Sequence, residues 1–240
     1  MFVRVPNGVR LVRSTIRFFW FFALTIGAFA FQEATGKSPL ANAIQMLNSS
    51  PWARQETYTR VVSGVGSGES GEKEIFNTFY VRFFSAPPIR EALLRIQQIQ
   101  YGYDGWAAEE KRRFDESLAA DLLSGFGDWI VVSVGFRSND PNEESNVRRF
   151  FERQNTETLK NKAFLSTEQF SQVRIHTYFA PRDEGIGAKF VFPRQFEGTP
   201  LVSRTGKTVS FELLDVPTAS PRLRARFAVK DMTINGQVVF

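Results

Sequence analysis

The 240 residues include no cysteine and a single histidine. The first absence excludes a disulfide framework, a thiolate nucleophile, an iron–sulfur cluster, a Cys-containing zinc finger and a lipidated lipobox cysteine. The second leaves His176 as the one imidazole, so no site can draw on two. There is no internal repeat and no low-complexity tract, which excludes solenoids and repeat arrays. No apolar run reaches 18 residues. The apolar, charge-free run Phe18–Phe31 has 14 residues, roughly 21 Å as a helix against a hydrocarbon core of ~30 Å. What is present is phenylalanine, 25 of them beside five tyrosines and four tryptophans. Hydrophobic residues make up 42% of the chain and charged ones 23%, a globular balance for one domain of good size.

The net charge of +5 and a pI near 9.6 suggest nucleic acid until the charge is divided. Arg4, Arg10, Arg13 and Arg17 precede any acid. Taking those four from the 30 basic residues leaves 26 against 25 acidic. A nearly neutral body lacks the electrostatic footprint of a nucleic-acid binder. The order of features at the N-terminus is arginines, then the apolar run, then Ala28 and Ala30 in an A-x-A arrangement. This is the pattern of an export signal cleaved after Ala30, and a retained anchor is the alternative. Residues 1–31 are therefore expected to be a signal peptide or membrane anchor, with membrane contact through 18–31 if uncleaved. The expected location is the periplasm or cell envelope, soluble or N-terminally anchored. Residues 32–56 read as a linker with one short helix started by Ser38-Pro39, with Leu40, Ile44 and Leu47 on one face.

Residues 57–240 read as a single β-rich domain, mainly β with helical insertions (α+β). The expected architecture is a β-sandwich-like or open-barrel antiparallel fold behind the apolar segment. Strands are expected at 57–63, 75–84, 129–137, 171–180, 187–193, 207–214 and 222–234, and helices near 88–100, 107–123 and 141–162. Asn235-Gly236 marks a closing hairpin. Phe79, Phe83, Phe190, Phe192, Phe211 and Phe227 fall at strand positions with a two-residue period. They are expected to fill the core, with a Phe-lined cavity for an apolar ligand as the alternative.

Several apparent motifs fail on their context. Gly66–Gly71 matches G-x-G-x-x-G but runs into an aromatic strand, so it reads as a hairpin loop. Gly36-Lys37-Ser38 lacks the earlier glycine of a phosphate-binding loop. His176 has no G-x-S-x-G partner and is expected on the exposed strand face with Arg174 and Tyr178, opposite Val173, Ile175 and Phe179. Asp104, Glu109, Glu110, Asp115 and Glu116 could supply a carboxylate pair for hydrolysis, but their helical setting favours a solvated face. Asp140, Glu143 and Asp183 are the weak Ca²⁺ candidates. The simpler reading makes Asp140 an N-cap, Pro141 the first helical residue and Glu143 the return arm of a capping box. No cofactor is expected.

One feature points to a contact surface. In Arg222–Lys230, Arg222, Arg224, Arg226 and Lys230 fall on one strand face, and Leu223, Ala225, Phe227 and Val229 on the other. The basic face, with Arg174 beside it if the strands pair, is the expected binding surface for a protein or an anionic envelope component. A non-catalytic, exported binding or accessory protein is the function this reading favours. A carrier of an apolar ligand and a carboxylate- or His-dependent hydrolase are the alternatives.

Overall fold

A computed structural model describes residues 38–63, 72–119, 125–182 and 186–240. The expected signal or anchor, the Gly66–Gly71 loop and Asp183 lie outside the described residues. The chain is mainly β, with antiparallel sheets and helices inserted between the early strands.

Helix α1 spans Pro39–Asn48. Ser38 caps it, accepting a hydrogen bond from the Ala41 amide at 3.2 Å, and Pro39 supplies a preset φ at the first turn. The helix does not stand apart as a linker, because Ala43 and Leu47 are buried in the core. Strand β1 (Ala53–Ser63) begins four residues before the expected start and pairs along its whole length with β2 (Glu72–Phe83). Helix α2 (Pro87–Gln100) opens on two prolines and buries Ile89 completely. Helix α3 (Ala108–Phe114) runs on into a wider turn over Asp115–Ala119.

Strand β3 (Trp129–Ser138) is central, between β2 and the later strand Ala188–Pro193, and is buried over Ile130–Val134. Its two largely apolar faces are the sequence cause. Helix α4 (Pro141–Arg153) and the single turn α5 (Thr156–Leu159) replace the one helix expected over 141–162. Asn155 breaks it by capping the second piece, accepting from the Thr158 amide at 3.0 Å. Strand β4 (Ala163–Thr167) follows, where the sequence suggested none.

The expected strand at 171–180 is two short ones, β5 (Val173–Arg174) and β6 (Thr177–Phe179). β5 pairs with β4 and β6 with β7 (Ala188–Pro193), so the chain crosses between sheets at Ile175-His176. The crossing resets the face parity. Tyr178 is buried at 7% exposure and Phe179 is 50% exposed, the reverse of the expectation from alternation. The Tyr178 hydroxyl donates to the Phe151 carbonyl at 2.6 Å, and burial raises its pKa.

After the small hairpin β8 (Gln195–Phe196) and β9 (Thr199–Pro200) come β10 (Thr208–Leu214) and β11 (Arg222–Ala228). The expected strand 222–234 stops at Ala228, where Val229–Asp231 forms a 3-10 turn. β12 (Thr233–Ile234) and β13 (Gln237–Val238) form the closing hairpin. Asn235 and Gly236 take φ of 50° and 74° between them, the two positive values a tight hairpin turn demands.

Two sheets carry the body. The first has the order β1-β2-β3-β7-β6 and the second β11-β10-β4-β5. All six expected core phenylalanines are fully buried, and all but Phe79 interlock across the sheets. Phe83 meets Phe227 edge-on at 4.8 Å, and Phe211 meets Phe190 at 5.2 Å and Phe192 at 6.3 Å. α1 and α2 pack on one another, and α1 reaches β1 and β2.

The first strand of one sheet borders the last strand of the other without a backbone ladder. Arg54 Nε donates to the Arg226 carbonyl at 3.1 Å, and the Tyr58 hydroxyl donates to the Arg222 carbonyl at 3.3 Å. Between Arg54 and Tyr58 lies half-buried Glu56. Burial raises its carboxyl above the ordinary value of 4.5, with Arg54 opposing. Its pKa is therefore higher folded than unfolded, so charging it costs stability. The cost is absent below the ordinary carboxylate range and complete once pH exceeds the folded value. Glu56→Gln is expected to melt above wild type at pH 7 and level with it at pH 3, as thermal melts at the two pH values will read.

Candidate functional site

The alternation in β11 places its arginines as the sequence suggests. Leu223, Ala225 and Phe227 are buried, and Arg222, Arg224 and Arg226 are exposed. The strand pairs with β10 in the register Leu214↔Arg222, Glu212↔Arg224 and Ser210↔Arg226. Cross-strand partners share a face. The outer face of the second sheet therefore carries three arginines on its edge strand and Glu212 on the next.

Glu212 alters the charge of this face. It is 8% exposed and forms an ion pair with Arg222. A carboxylate that buried requires a partner, so Arg222 is committed to it. Arg224 and Arg226 have no ion pair among the described residues. Lys230 is exposed but sits in the 3-10 turn, beyond the end of the strand, so its place on the strand face is corrected. Arg174 lies on the same face and is exposed, but it is not a neighbour. The row runs Arg224, Glu212, Phe164, Arg174 across four strands, which separates the two arginines by roughly 14 Å. Phe164 and Ser210 fall on the same side of the sheet but are buried, so the open part of the face is the arginines of β11 and Arg174. Glu212 was not singled out from sequence, and its signal was the alternation of β10, where Ser210 and Glu212 interrupt an apolar strand.

The expected Ca²⁺ candidates serve a different end. Asp140 Oδ1 accepts from the amides of Asn142 at 3.0 Å and Glu143 at 3.2 Å, capping α4. Its other oxygen meets Lys73 Nζ at 2.9 Å. That lysine and the two amides hold the carboxyl below its usual range. Glu143 does not return to the Asp140 amide, which donates instead to Ser138 Oγ at 3.1 Å. Glu143 pairs with Arg60 and accepts from Asn77 Nδ2 at 3.4 Å. The expected capping box is thus half made, and its second arm ties α4 to the β1–β2 hairpin. Among the described residues no group of three His, Asp or Glu side chains could hold a metal ion.

His176 is exposed and stacks on Trp129, with ring centroids 4.3 Å apart and planes 25° from parallel. Of the helical carboxylates, Asp104, Glu109 and Glu116 pair with arginines, while Glu110 accepts from the Ala107 amide and Asp115 from the Tyr103 hydroxyl. Asp104 takes a two-pronged contact from Arg95 at 3.0 and 2.8 Å, and Glu109 accepts from Arg112 at 2.8 Å. These guanidinium groups hold both carboxyls below their usual values, the opposite of what a general acid needs. Two clefts of about 210 and 390 Å³ open elsewhere. The smaller is lined by Phe179, Arg182 and Lys189 among others, and the larger by Leu201, Val202 and Val229 beside the Glu168 and Ser203 loops. None of the six core phenylalanines lines either. Glu168 staples the larger cleft's rim, accepting from the Lys207 and Thr208 amides at 3.2 and 2.8 Å. Compared with known protein families, curated proteins and solved structures, the chain matches none.

Proposed function

We propose that this chain is an exported, non-catalytic accessory protein of the cell envelope. Its two main sheets act as the layers of a β-sandwich, and the outer face of the second binds an anionic envelope component. The observation that carries this reading is the pair Arg224 and Arg226. They are exposed, lack an ion pair among the described residues, and project from one strand face about 7 Å apart. Guanidinium forks at that spacing suit a chain of carboxylate or phosphate oxygens. The arginine-then-apolar N-terminus supplies the export half of the reading. Among the described residues no helix is long and apolar enough to cross a membrane.

The test uses two immobilised probes, polygalacturonate for carboxylate and poly(glycerol phosphate) for phosphate. Wild-type protein is expected to be retained on one of them and to elute at raised salt. Arg224→Glu/Arg226→Glu should lose about tenfold or more in affinity, on the scale of roughly 1 kcal/mol per surface cation. Equal retention of wild type and variant on both matrices, or no retention of either, would overturn the reading.

A further inference from the structure

The helical part of the molecule ends in an apolar and aromatic patch close to where the chain arrives from its N-terminal segment. α1 is tied at its C-terminal end to β2, because Arg82 Nε donates to the Leu47 carbonyl at 2.6 Å and Nη2 to Asn48 Oδ1 at 3.1 Å. Burial draws the Arg82 pKa down to about 10, as befits a guanidinium enclosed at a packed joint. α2 starts only Phe84–Ala86 beyond β2 and packs along α1. The two helices therefore run antiparallel, and α2, four residues longer, carries its last turn past the first turn of α1.

At that end the apolar residues face outward. Leu40 is 38% exposed, Ile44 44% and Tyr101, the residue that closes α2, 54%. Tyr101 continues into a ring cluster outside the core. Phe114 lies 6.3 Å from Tyr101, 5.4 Å from Tyr103 and 5.6 Å from Trp106. Tyr103, Trp106 and Phe114 are only half-buried. Lys111 Nζ sits 5.5 Å over the Tyr103 ring. Tyrosine and tryptophan with aliphatic neighbours and a cation alongside are the side chains that settle at a bilayer interface, apolar body inward and polar tip to the headgroups.

Chain connectivity selects the occupant. Only residues 32–37 separate the apolar run ending at Phe31 from Ser38, roughly 20 Å even when fully extended. We propose that this end of the helical layer rests on the lipid surface, with Leu40, Ile44, Tyr101 and Trp106 entering the headgroup region. The proposal rests on the reading of residues 18–31 as a retained anchor. It turns a tethered domain into one held in a fixed attitude.

The experiment reconstitutes the full chain into phosphatidylcholine vesicles with and without brominated acyl chains and reads tryptophan emission. Trp20→Phe removes the anchor's own signal, and Trp20→Phe/Trp106→Phe removes the patch's as well. Bromine is expected to quench the first protein, and most of that quenching should be gone from the second. Leu40→Asp/Ile44→Asp in the Trp20→Phe background should lose it too. Equal quenching in the Trp20→Phe and Trp20→Phe/Trp106→Phe proteins would overturn the proposal. Trp106→Phe, which keeps Trp20, reads the anchor separately. Quenching there without a Trp106 contribution sinks the patch and spares the anchor. No quenching in any variant sinks both. A Trp106 signal alone supports the surface contact without the anchor.

Discussion

Gly187→Ala is expected to cost on the order of 4 kcal/mol and to lower the melting temperature by roughly 10 °C or more. Gly187 stands at the entry to β7 with φ of +92°, a region that L side chains rarely adopt. A Cβ there would lie 2.1 Å from the Val134 carbonyl oxygen and 2.7 Å from the Gly135 nitrogen. Both obstacles belong to the backbone of the central strand β3, so no side chain can swing aside. Either β7 lifts off β3 or the entry refolds. Gly198→Ala is the control. It too has positive φ, +74°, but a Cβ there meets nothing within 4 Å. Its cost is dihedral strain alone, about 1 kcal/mol. Thermal melts of the two variants separate strain from collision. Similar small losses in both would show that the β3–β7 joint yields more easily than its geometry implies.

Phe211→Ala is expected to cost about 3–5 kcal/mol. Among the described residues, Phe211 is the one ring of the second sheet that touches two rings of the first, Phe190 and Phe192. Its neighbours in register, Leu165 and Ala225, are themselves fully buried, so the site has little freedom to collapse. Truncation leaves a void between the sheets rather than a dimple on the surface. Phe211→Leu restores most of the volume and should cost about 1.5 kcal/mol or less. Denaturant titration reads both, and a loss below that of the leucine variant for Phe211→Ala would contradict the packing described.

The sequence was most legible where one physical rule acted alone. Alternation placed Leu223, Ala225 and Phe227 inside and Arg222, Arg224 and Arg226 outside, because an edge strand with one buried face obeys a period of two. Asp140-Pro141 marked a helix start because a cap and a fixed φ are local devices. Legibility failed where distant partners decided. Nothing local to 171–180 indicates that β5 belongs to one sheet and β6 to the other, yet that crossing decides which of Tyr178 and Phe179 is buried. β4 was hidden because Ala163–Leu165 is buried without a break and too short to show any period. The same limit applied to the candidate face. Four cations in Arg222–Lys230 were countable, but the strand's end at Ala228 and the claim of Glu212 on Arg222 depend on β10 and the turn beyond. That Arg174 is three strand spacings from Arg224 follows only from sheet order.

The side-chain seam between β1 and β11 has a consequence for the order of events during synthesis. Arg54 reaches a carbonyl 172 positions away, and Tyr58 one 164 away. The β1–β2 hairpin can form early, since its strands are close in sequence. Its outer edge then waits, unpaired, until almost the whole body has left the ribosome and β11 can arrive. An uncovered edge of that length is an invitation to pairing between nascent chains. Arg54, Glu56 and Arg60 along β1 put charge on the waiting edge. They discourage that pairing in the interval, and two of the three are then reused, Arg54 to close the seam and Arg60 to hold α4 through Glu143.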